Sequence, residues 1–526
     1  MHPGAFDADH PAIIMGQSGA TVTYGELDAA ANRVSRLLRA RGLGVGDHVA
    51  ILVENRPEFL ELTWGAHYAG LLYTAISTRL TPDEVAYIVR DCGAKALVVS
   101  SRYSGTAQAL VELLPDDVER FSVGDPIPGW GTLEDALVEH PATPLDEQRT
   151  AGRDMLYSSG TTGRPKGIKP REVAGALEET PIIITPILKA NLGVGVDSTY
   201  LTPAPMYHAA PLRFSMAIHQ LGGTVVMMER FTPEGALELI ERHRVTHTQM
   251  VPTMFVRMLR LPEEQRAAAD VSSLRVVMHA AAPCPVDVKQ QMLDWLGPII
   301  HEYYASTEAC GLTWVTPDQW LAKPGTVGKA MIGVPHVVGE DGRELPVGEE
   351  GVVYFSDGPP FEYHNAPEKT AEAHDERGWA TCGDIGRLDE DGFLYLTDRK
   401  SFMIITGGVN VYPQEAEDVL ISDPAVMDAA VFGVPHPEFG EEVTAVVQPV
   451  RMPETDEEEQ AEAERLMALC RSRLADLKCP RSIDFRAELP RHETGKLYKR
   501  LLVDEYRERV ASAAAAAGCP VMGHSA

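Results

Sequence analysis

The sequence predicts an α/β protein: a large N-terminal α/β body with parallel sheets and a β-rich subdomain, followed by a small α+β C-terminal domain. Strand and helix patterns alternate over residues 1–100 and again over 222–300, which is typical of parallel strands covered by helices. From residue 325 the pattern changes to glycine-punctuated strands with few helices. With 526 residues, the chain also exceeds the size that one hydrophobic core supports, so more than one domain is expected.

The first helix is predicted from a capping box. Thr23 and Glu26 have the required spacing, and apolar residues follow at helical intervals over 27–38 before Gly42 ends the helix. The next elements of the body are predicted in this order: a strand at 48–55, helices from Pro57 and over 82–93, strands at 95–101 and 223–229, a helix at 232–243, strands at 247–252 and 274–280, and a helix at 285–297. Strands and helices in this order form a largely parallel sheet.

The last part of the body and the C-terminal domain have a different pattern. Strands at 325–334, 350–358 and 392–400 are predicted to form the β-rich subdomain. A helix at 414–421 and a strand at 428–433 follow. The last predicted element is a long acidic helix that is capped by Thr455 and Glu458 and continues through Leu466, Leu469, Leu474 and Leu477. The Ala-rich end of the chain is expected to fray.

Charge and composition exclude several classes of protein. The formal net charge of −29 argues against a nucleic-acid partner, which normally requires a basic face. The 7 cysteines are scattered without CxxC spacing, so neither a disulfide framework nor a zinc site is indicated. The N terminus lacks the basic and apolar regions of a signal peptide, and apolar runs fall well short of the ~18 residues of a membrane span. We therefore expect a cytoplasmic protein without integral membrane contact.

The stretch "YSSGTTGRPKG" at 157–167 indicates an anion-binding loop. Glycines let the backbone approach a ligand closely, consecutive N–H groups form an anion nest, and a lysine adds positive charge. The residues concerned are Ser158, Ser159, Gly160, Thr161, Thr162, Gly163 and Lys166. The stretch does not fit the nucleotide P-loop, because Pro165 precedes the lysine and Gly167 stands where that motif has Ser or Thr. A polar turn between two strands is the alternative interpretation.

Together with other motifs, this loop resembles the signature of the adenylate-forming enzymes, which include acyl- and aryl-CoA synthetases, adenylation domains and luciferase. The further motifs, in the order found in that family, are "APMYHAAP" (204–211), "HAAAP" (279–283), "YYASTE" (303–308), "CGD" (382–384), "DRKSFMIITGGVNVYPQE" (398–415) and "RHETGK" (491–496). The resemblance spans nearly the whole chain and is closest to the fatty-acyl-CoA synthetases.

The resemblance implies a nucleotide site. Glu308 matches the magnesium-binding carboxylate, and Thr307 the hydroxyl beside the α-phosphate. Tyr304 matches the aromatic residue that stacks on adenine, and a strand of small residues lies against the base: Ala280, Ala281 and Ala282. Asp384 and Arg399 match the residues that bind the ribose hydroxyls. Thr161 of the loop is included among the catalytic residues.

The resemblance also implies an acyl site and a catalytic lysine. Lys496 matches the lysine that stabilises charge while the acid attacks phosphorus, and His208 occupies the position of an aromatic gate to the acyl site. Gly407 and Gly408 match the loop that leaves room for the pantetheine arm of coenzyme A. At His279 the family tends to have a small residue, so this imidazole either shapes the choice of acid or faces away from the pocket. At Ala305, where the family usually has glycine, the methyl group narrows the acyl tunnel.

By this resemblance the domains divide the reaction. Residues 1–397 would form the adenylation domain with the ATP and acyl sites, 398–402 the hinge, and 403–526 a mobile lid domain that carries the lysine and the coenzyme A loop. The lid rotates between the two half-reactions. Ser401 stands at the pivot, where the family more often has Asp or Lys.

The predicted function is an AMP-forming acid:CoA ligase that uses ATP, Mg²⁺ and coenzyme A. A fatty or other hydrophobic acid is favoured, because the segments near the pocket are rich in Met, Phe and Trp. The alternatives are an aryl or steroid side-chain acid and an acyl-AMP ligase that loads a carrier protein. A non-catalytic nucleotide-binding module is the alternative from another class, and the presence of Lys496, Glu308 and Asp384 argues against it. Both a monomer and a homodimer are compatible with the sequence.

Overall fold

The computed structural model describes residues 1–158, 165–169, 175–399, 402–406, 409–436, 439–491 and 497–516. The strands of the body are β1 (Pro11–Met15), β2 (Thr21–Thr23), β3 (His48–Leu52), β4 (Leu72–Ala75), β5 (Ala94–Ser100), β6 (Glu119–Val123), β7 (Gly131–Thr132), β8 (Arg153–Asp154), β9 (Tyr157–Ser158), β10 (Lys166–Lys169), β11 (Thr199–Thr202), β12 (Thr224–Met227), β13 (His247–Met250), β14 (Val276–His279), β15 (Ile300–Ala305), β16 (Leu312–Val315), β17 (Lys329–Ile332), β18 (Val334–Val338), β19 (Gly351–Ser356), β20 (Glu362–Tyr363), β21 (Ala380–Leu388) and β22 (Leu394–Arg399). The C-terminal strands are β23 (Ile404–Thr406), β24 (Val409–Val411), β25 (Val426–His436), β26 (Gly440–Pro449) and β27 (Ser482–Phe485).

The helices of the body cover the faces of these sheets. They are α1 (Tyr24–Ala40), α2 (Pro57–Tyr68), α3 (Pro82–Asp91), α4 (Ser104–Leu113), α5 (Leu133–Val138), α6 (Thr185–Leu192), α7 (Ala209–Gln220), α8 (Pro233–Arg242), α9 (Pro252–Leu259), α10 (Glu263–Ala268), α11 (Val286–Leu296), α12 (Pro317–Ala322) and α13 (Pro367–Glu372). The C-terminal helices are α14 (Pro413–Ile421), α15 (Asp456–Arg473) and α16 (Lys499–Ala516). The predicted capping box is present at α1, where the Thr23 hydroxyl accepts from the Glu26 amide and the Glu26 carboxylate accepts from the Thr23 amide.

The largest sheet positions most of the predicted site residues. Its strand order is β17-β16-β15-β14-β13-β11-β12-β1-β2. The strands from β15 to β1 in that order are parallel neighbours, and antiparallel strands stand at both ends. Because carboxyl ends of parallel strands meet at one edge, the segment after β14 lies beside the segment after β15. These segments carry the alanines at 280–282 and the pair Thr307 and Glu308.

A second parallel sheet and two antiparallel sheets complete the body, as the α/β prediction requires. The parallel sheet has the order β7-β6-β5-β3-β4-β8. The β-rich subdomain is the antiparallel sheet β18-β19-β21-β22, and β20-β10-β9 form a smaller antiparallel sheet. One strand differs from the prediction: β17, in the stretch 325–334, pairs with β16 at the edge of the largest sheet and is not part of the β-rich subdomain.

The C-terminal domain is an α+β unit. β24-β23-β26-β25 pair in that order, and β27 adds to β26 in parallel. The predicted strand at 428–433 lies within the longer β25. The predicted helix after Thr455 is shorter than expected: α15 ends at Arg473, and Leu474 is extended with φ −124° and ψ 157°. Leu474 still packs on the domain core, so its helical spacing reflects burial and does not mark a continuing helix.

Helices pack against both faces of the largest sheet. One hydrophobic cluster joins this sheet to α1, α2, α6 and α7, and another joins its opposite face to α8, α9 and α11. In the described ranges, no helix is long and apolar enough to cross a bilayer.

A buried ion pair lies between α11 and the sheet. Lys289 Nζ is 2.5 Å from Glu302 Oε2, and the Lys289 side chain is 0% exposed and that of Glu302 8%. The His279 ring also faces this carboxylate, with Nε2 3.4 Å from Oε2. Burial lowers the pKa of His279 well below its ordinary value, and the Lys289 charge lowers it further, so the imidazole is neutral. The pair ties α11 to β15 and leaves no uncompensated charge in the core.

An arginine at the end of α9 contacts the C-terminal domain. Arg260 Nη2 donates to the carbonyl oxygens of Ile421, Asp423 and Val426 at 3.3, 2.9 and 2.8 Å. Ile421 is the last residue of α14, where helix carbonyls lack intrahelical partners and a cation is favourable. The body thus caps a helix of the C-terminal domain.

We predict that replacement of Lys289 by methionine lowers the free energy of unfolding by about 3–5 kcal/mol, because the mutation leaves the Glu302 carboxylate buried without its partner. The double change Lys289→Met with Glu302→Leu should recover most of this loss. Urea denaturation followed by circular dichroism measures both. Lys369→Ala, which breaks an exposed pair with Glu372, is the control and should change the value by under about 1 kcal/mol. An equal loss in the single and double variants would contradict the ion-pair account.

Candidate active site

The two ends of the predicted anion loop lie side by side. Ser158 on β9 and Lys166 on β10 are antiparallel partners. Gly167 allows this close packing: a Cβ there would lie 2.8 Å from Met155 Cε and 2.9 Å from Tyr157 Cζ, so side chains fill the space a larger residue would need. The predicted residues Ser159, Gly160, Thr161, Thr162 and Gly163 lie outside the described residues, as does the side chain of Ser158.

Tyr363 links Lys166 to Glu308. Lys166 Nζ lies 4.9 Å from the centre of the Tyr363 ring, within the range of a cation–π contact. The Tyr363 hydroxyl donates to Glu308 Oε1 at 2.9 Å. Tyr363 reaches this place because β20 pairs with β10, with Tyr363 opposite Ile168. The structure therefore brings the predicted lysine and the predicted carboxylate to two sides of one phenol ring.

The surroundings of Glu308 fit a magnesium ion that is shared with phosphate. Glu308 is half-buried, and its Oε1 atom accepts one hydrogen bond, so lone pairs remain on the carboxylate for a hard cation. In the part of the chain that the structure describes, no group of three or more His, Cys, Asp or Glu side chains could hold a metal ion. A single carboxylate suits Mg²⁺, which is usually bound by one or two carboxylates together with waters and phosphate oxygens.

Two thiols adjoin this carboxylate. Cys382 Sγ lies 3.6 Å from Cys310 Sγ and 3.9 Å from Glu308 Oε2. The contact with Cys310, burial and the nearby Glu308 charge raise the pKa of Cys382 well above its ordinary value, so this thiol is protonated. All cysteines among the described residues are free thiols, as the scattered spacing predicts.

The predicted ribose and adenine residues also come together. The Tyr304 hydroxyl donates to Asp384 Oδ2 at 2.5 Å. Asp384 on β21 is the antiparallel partner of Arg399 on β22, whose side chain lies outside the described residues. Tyr304 and Asp384 belong to different sheets, so this bond joins the largest sheet to the β-rich subdomain. Burial and the Asp384 charge raise the pKa of Tyr304 well above its ordinary value, so the hydroxyl remains a donor.

The small residues after β14 follow the buried end of that strand. Ala280 is buried, and Ala281 has the left-handed φ of 77°, which costs a residue with a Cβ about 1 kcal/mol or more. Ala282 and Thr307 are half-buried. Ala309, directly after Glu308, has φ of 56°. Strained backbone on both sides of the candidate site is typical of functional positions, where the surrounding structure holds it in place.

The two histidines of uncertain role differ in position. His208 is the N-cap residue of α7, and its half-buried ring packs against the Tyr207 ring at a centroid distance of 4.3 Å. His279 is fully buried and faces Phe255, Lys289 and Glu302. Of the two alternatives for His279, the structure therefore gives the one in which the ring faces away from the alanines and the candidate site.

Buried ion pairs anchor both flanks of Lys496. On the N-terminal side, Arg491 Nε and Nη2 donate to the two oxygens of Asp428, and Asp428 is buried. On the C-terminal side, Lys499 Nζ lies 2.7 Å from Glu417 Oε1, with side chains 6% and 8% exposed. Arg491 and Leu497 also pair as an antiparallel bridge. Lys496 itself, Gly407, Gly408 and Ser401 lie outside the described residues.

A cleft lies between the body and the C-terminal domain. Its volume is about 970 Å³, and it is lined by Asp83, Glu84, Tyr87, Arg90, Asp91, Pro165, Asn365 and Arg500. Pro165 precedes Lys166 in the anion loop, and Arg500 belongs to the helix that follows Lys496. A residue of the anion loop and a residue just after the RHETGK motif therefore border one cleft.

Comparisons with known proteins show which proteins this chain resembles. Residues 4–359 match the family model described as AMP-binding enzyme, and residues 415–496 match AMP-binding enzyme C-terminal domain. The long-chain-fatty-acid–CoA ligase FadD13 of Mycobacterium tuberculosis is 33% identical over 93% of this chain and 94% of that protein. A feruloyl-CoA synthase of Amycolatopsis is 34% identical over 91% and 93%. The crystal structure of ATP-bound MatB from Rhodopseudomonas palustris has a TM-score of 0.79 at 30% identity and covers 97% of this chain and 100% of that chain.

We predict that Tyr304→Phe raises the KM for ATP by about tenfold, because a hydrogen bond to a charged group contributes about 1.5–3 kcal/mol and about 1.4 kcal/mol is a factor of ten. The ring remains, so stacking is kept while the Asp384 carboxylate loses its restraint. Steady-state kinetics with varied ATP measures the change. Tyr395→Phe is the matched control, since its hydroxyl contacts Asp389 at 3.5 Å in the β-rich subdomain that also contains Asp384. Equal effects in both variants would show that the Tyr304 hydroxyl is not specific to the nucleotide.

Proposed function

The chain belongs to the AMP-binding enzyme family and is an AMP-forming acid–thiol ligase, and from this premise we propose how its own residues perform the reaction. The enzyme uses ATP, Mg²⁺ and coenzyme A to convert a carboxylic acid to its thioester. In the first step a carboxylate oxygen attacks the α-phosphorus of ATP and pyrophosphate leaves. In the second step the sulfur of coenzyme A attacks the acyl carbon and AMP leaves.

The contact of Lys166 and Glu308 with one tyrosine ring carries the assignment of the phosphate site. A cation and a carboxylate are held on two sides of Tyr363, beside the end of the anion loop. Glu308 would hold Mg²⁺, which when bound neutralises phosphate charge. Lys166 and the loop from Ser158 to Gly163 would bind the phosphate oxygens through charge and backbone N–H groups. Catalysis of phosphoryl chemistry is mainly positioning and charge stabilisation, and this constellation supplies both.

The nucleoside would lie between the largest sheet and the β-rich subdomain. Tyr304 would stack on adenine against the alanines at 280–282. Asp384, aligned by the Tyr304 hydroxyl, would accept the ribose hydroxyls, with Arg399 opposite it on the neighbouring strand. Thr307 would contact the α-phosphate, because it directly precedes Glu308.

Lys496 would stabilise the negative charge that develops as the acid attacks the α-phosphate. The ion pairs of Arg491 and Lys499 hold the flanks of this lysine on the C-terminal domain. Arg500, on the same helix as Lys499, lines the interdomain cleft beside Pro165. A cation carried here acts without reorganisation of its support, which is the basis of electrostatic preorganisation.

We assign the domains as residues 1–397, a hinge at 398–402 and a rotating lid at 403–526. After adenylate formation the lid would withdraw Lys496 and bring Gly407 and Gly408 to the path of the pantetheine arm. His208, at the start of α7, would stand at the entrance for the acid. The Arg260 contacts to Ile421, Asp423 and Val426 would hold the lid in the arrangement for adenylate formation.

The acid and the acceptor need a separate assignment. Long-chain fatty acid and feruloyl names both occur among the relatives, so relationship alone leaves the acid open. Transfer to a carrier protein is the second candidate for the acceptor, since a carrier bears the same pantetheine thiol. The cytoplasmic location, the absence of a nucleic-acid partner and the choice between monomer and homodimer remain predictions from the sequence.

An ATP–pyrophosphate exchange assay over a panel of acids tests the function. Exchange that depends on an acid supports adenylate formation, and thioester on addition of coenzyme A separates a CoA ligase from an acyl-AMP ligase. Absence of acid-dependent exchange, with nucleotide binding intact, would leave only the binding module. Release of ADP in place of AMP would also contradict the assignment.

We predict that Lys496→Ala abolishes adenylate formation, a loss of at least about 100-fold, because a preorganised charge at the transition state is removed. Thioester formation from supplied acyl-AMP should remain largely intact. Lys369→Ala, which removes an exposed lysine paired with Glu372, is the control for overall charge. An equal fall in both half-reactions would contradict the division of labour between the two arrangements of the lid.

We predict that Arg260→Ala lowers the rate of adenylate formation severalfold and leaves or raises the rate of thioester formation from supplied acyl-AMP. The reason is that this side chain stabilises one arrangement of the lid, so its loss shifts the population toward the other. Single-turnover assays of each half-reaction measure the effect. Arg266→Ala, on the neighbouring helix α10 with its guanidinium over Trp295, is the matched control and should change neither rate. A fall in thioester formation alone would contradict the proposal that Arg260 stabilises the arrangement for adenylate formation.

A further inference from the structure

A row of aromatic rings lines one face of the largest sheet. Tyr200 on β11, Phe214 on α7, Tyr303 on β15 and Trp314 on β16 follow one another with centroid distances of 6.1, 6.1 and 6.4 Å. Their planes are inclined by only 21–22° from one ring to the next. Phe214 and Trp314 are buried, and Tyr303 is half-buried. The row forms an apolar wall of stacked rings, and Tyr303 is its most accessible member.

The wall lies beside the nucleotide residues but on the other face of the strand. Successive side chains of a strand point to opposite faces, so Tyr303 and Tyr304 diverge from adjacent positions on β15. Tyr304 contacts Asp384, whereas Tyr303 stacks with Phe214 of the helix that His208 begins. If the proposed function holds, an acid that enters past His208 meets this wall with its carboxylate toward the α-phosphate.

Large side chains close the space behind the wall. The cavity that Tyr200 and Phe214 line has a volume of about 10 Å³, and its other lining residues include Leu188, Met278 and the polar His247 and Thr248. This is room for about one water molecule. A long alkyl chain could enter only if Phe214 or Tyr200 moved out of a packed core, which costs free energy. The packing therefore favours a compact acid over one whose chain must extend past the wall.

A polar pair breaks the apolar wall at one point. Gln249 Nε2 donates to the Tyr303 hydroxyl oxygen at 3.1 Å. The hydroxyl that accepts this bond keeps its own proton for a ligand, and burial raises the pKa of Tyr303 above its ordinary value, so it remains a donor at neutral pH. The nearby amide of Gln249 supplies a carbonyl acceptor. Together they suit an uncharged oxygen substituent.

A charged pair lies near the wall. Arg213 Nε and Nη2 donate to Asp154 Oδ2 at 3.0 and 2.7 Å, and the side chains are 21% and 16% exposed. A ligand carboxylate or ammonium group would have to compete with this bidentate pair, which is costly to break. The site therefore selects against a second charge on the acid.

We propose that the acid is a compact aromatic carboxylic acid with a neutral oxygen substituent on its ring, bound through that oxygen by Tyr303 and Gln249 and packed against the accessible end of the aromatic wall. This assignment rests on the proposed function and names the substrate class of the same site. Phe214 sets the length limit, and the hydroxyl of Tyr303 sets the preference for the substituent.

Acid-dependent ATP–pyrophosphate exchange tests the proposal with matched acids: benzoate, 4-hydroxybenzoate, cinnamate, 4-hydroxycinnamate, decanoate and hexadecanoate. We expect kcat/KM for at least one hydroxylated acid to exceed that of its unsubstituted partner by about tenfold or more, because a site built for a hydroxyl group leaves its polar groups unpaired with the analogue. Hexadecanoate should be the poorest substrate.

Two variants assign the effect to named side chains. Tyr303→Phe should raise KM for the hydroxylated acid about tenfold with little change for the unsubstituted acid, so that the preference is lost. Phe214→Ala should improve kcat/KM for decanoate relative to the aromatic acids. Tyr395→Phe is the matched control, since it removes a tyrosine hydroxyl that lies outside the wall, and it should keep the preference.

The outcomes separate this proposal from the function on which it rests. Exchange with hexadecanoate but with no aromatic acid would overturn the substrate class while acid activation stood. An equal loss for both members of an acid pair in Tyr303→Phe would give Tyr303 a structural role only and overturn its assignment. Exchange with no acid at all would remove the proposed function and this inference with it.

Discussion

The buried ion pair of Lys289 and Glu302 fixes the strand on which the candidate site depends. Glu302 is on β15, and the next two residues send Tyr303 toward the aromatic wall and Tyr304 toward Asp384. A shift of β15 by one residue would exchange these two faces, because side chains alternate along a strand. It would also pull the Glu302 carboxylate from its only oppositely charged contact among the described residues. The cost of an unpaired buried charge thus enforces the register that separates the two substrates.

The C-terminal domain uses the same kind of interaction for another purpose. Asp428 and Glu417 lie on β25 and α14, and they hold Arg491 and Lys499 on either side of Lys496. In the proposed mechanism this anchoring would let the domain move as a unit. Arg260 donates to three backbone carbonyls of this domain, at and after the end of α14. Hydrogen bonds to carbonyls are directional, and they would suit the opening of the lid that we propose.

The sequence predicted those site residues that stand in short local motifs. It did not predict the residue that reaches the site through long-range strand pairing. Glu308, Lys166, Tyr304 and Asp384 stand in short motifs, and the structure brings them together. Tyr363 does not appear among them, because it lies on a strand that pairs with β10 across a long sequence separation and shows no periodicity. Only its residue type could have indicated a role in the site, because tyrosine combines an aromatic ring with a hydroxyl and this one lies between apolar Phe361 and polar His364.

The fold shows the same limit. Capping and alternation predicted α1 and the parallel sheets, since both depend on neighbours in sequence. The predicted end of α15 was wrong, because the spacing of apolar residues indicates which residues are buried and not where a helix ends. Leu474 packs on the core although the helix has already ended. The prediction assigned β17 to the wrong sheet, because the sequence of a glycine-punctuated strand does not show which strand it pairs with. Pairing partners are chosen by tertiary packing, which outweighs local preference.

Electrostatics explains why an acidic chain can bind two anionic substrates. With a net charge of −29, the protein repels ATP at long range, so binding must rely on short-range contacts in places where water is partly excluded. The ion pair of Arg213 and Asp154 cancels charge near the wall, and Lys166 lies over the ring face of Tyr363. In the proposed reaction the lysine charge acts on the phosphates, while the neutral part of the acid is recognised by the wall and the Tyr303 hydroxyl. We therefore infer that discrimination among acids depends on shape and on a neutral substituent, in addition to the one carboxylate that every substrate carries.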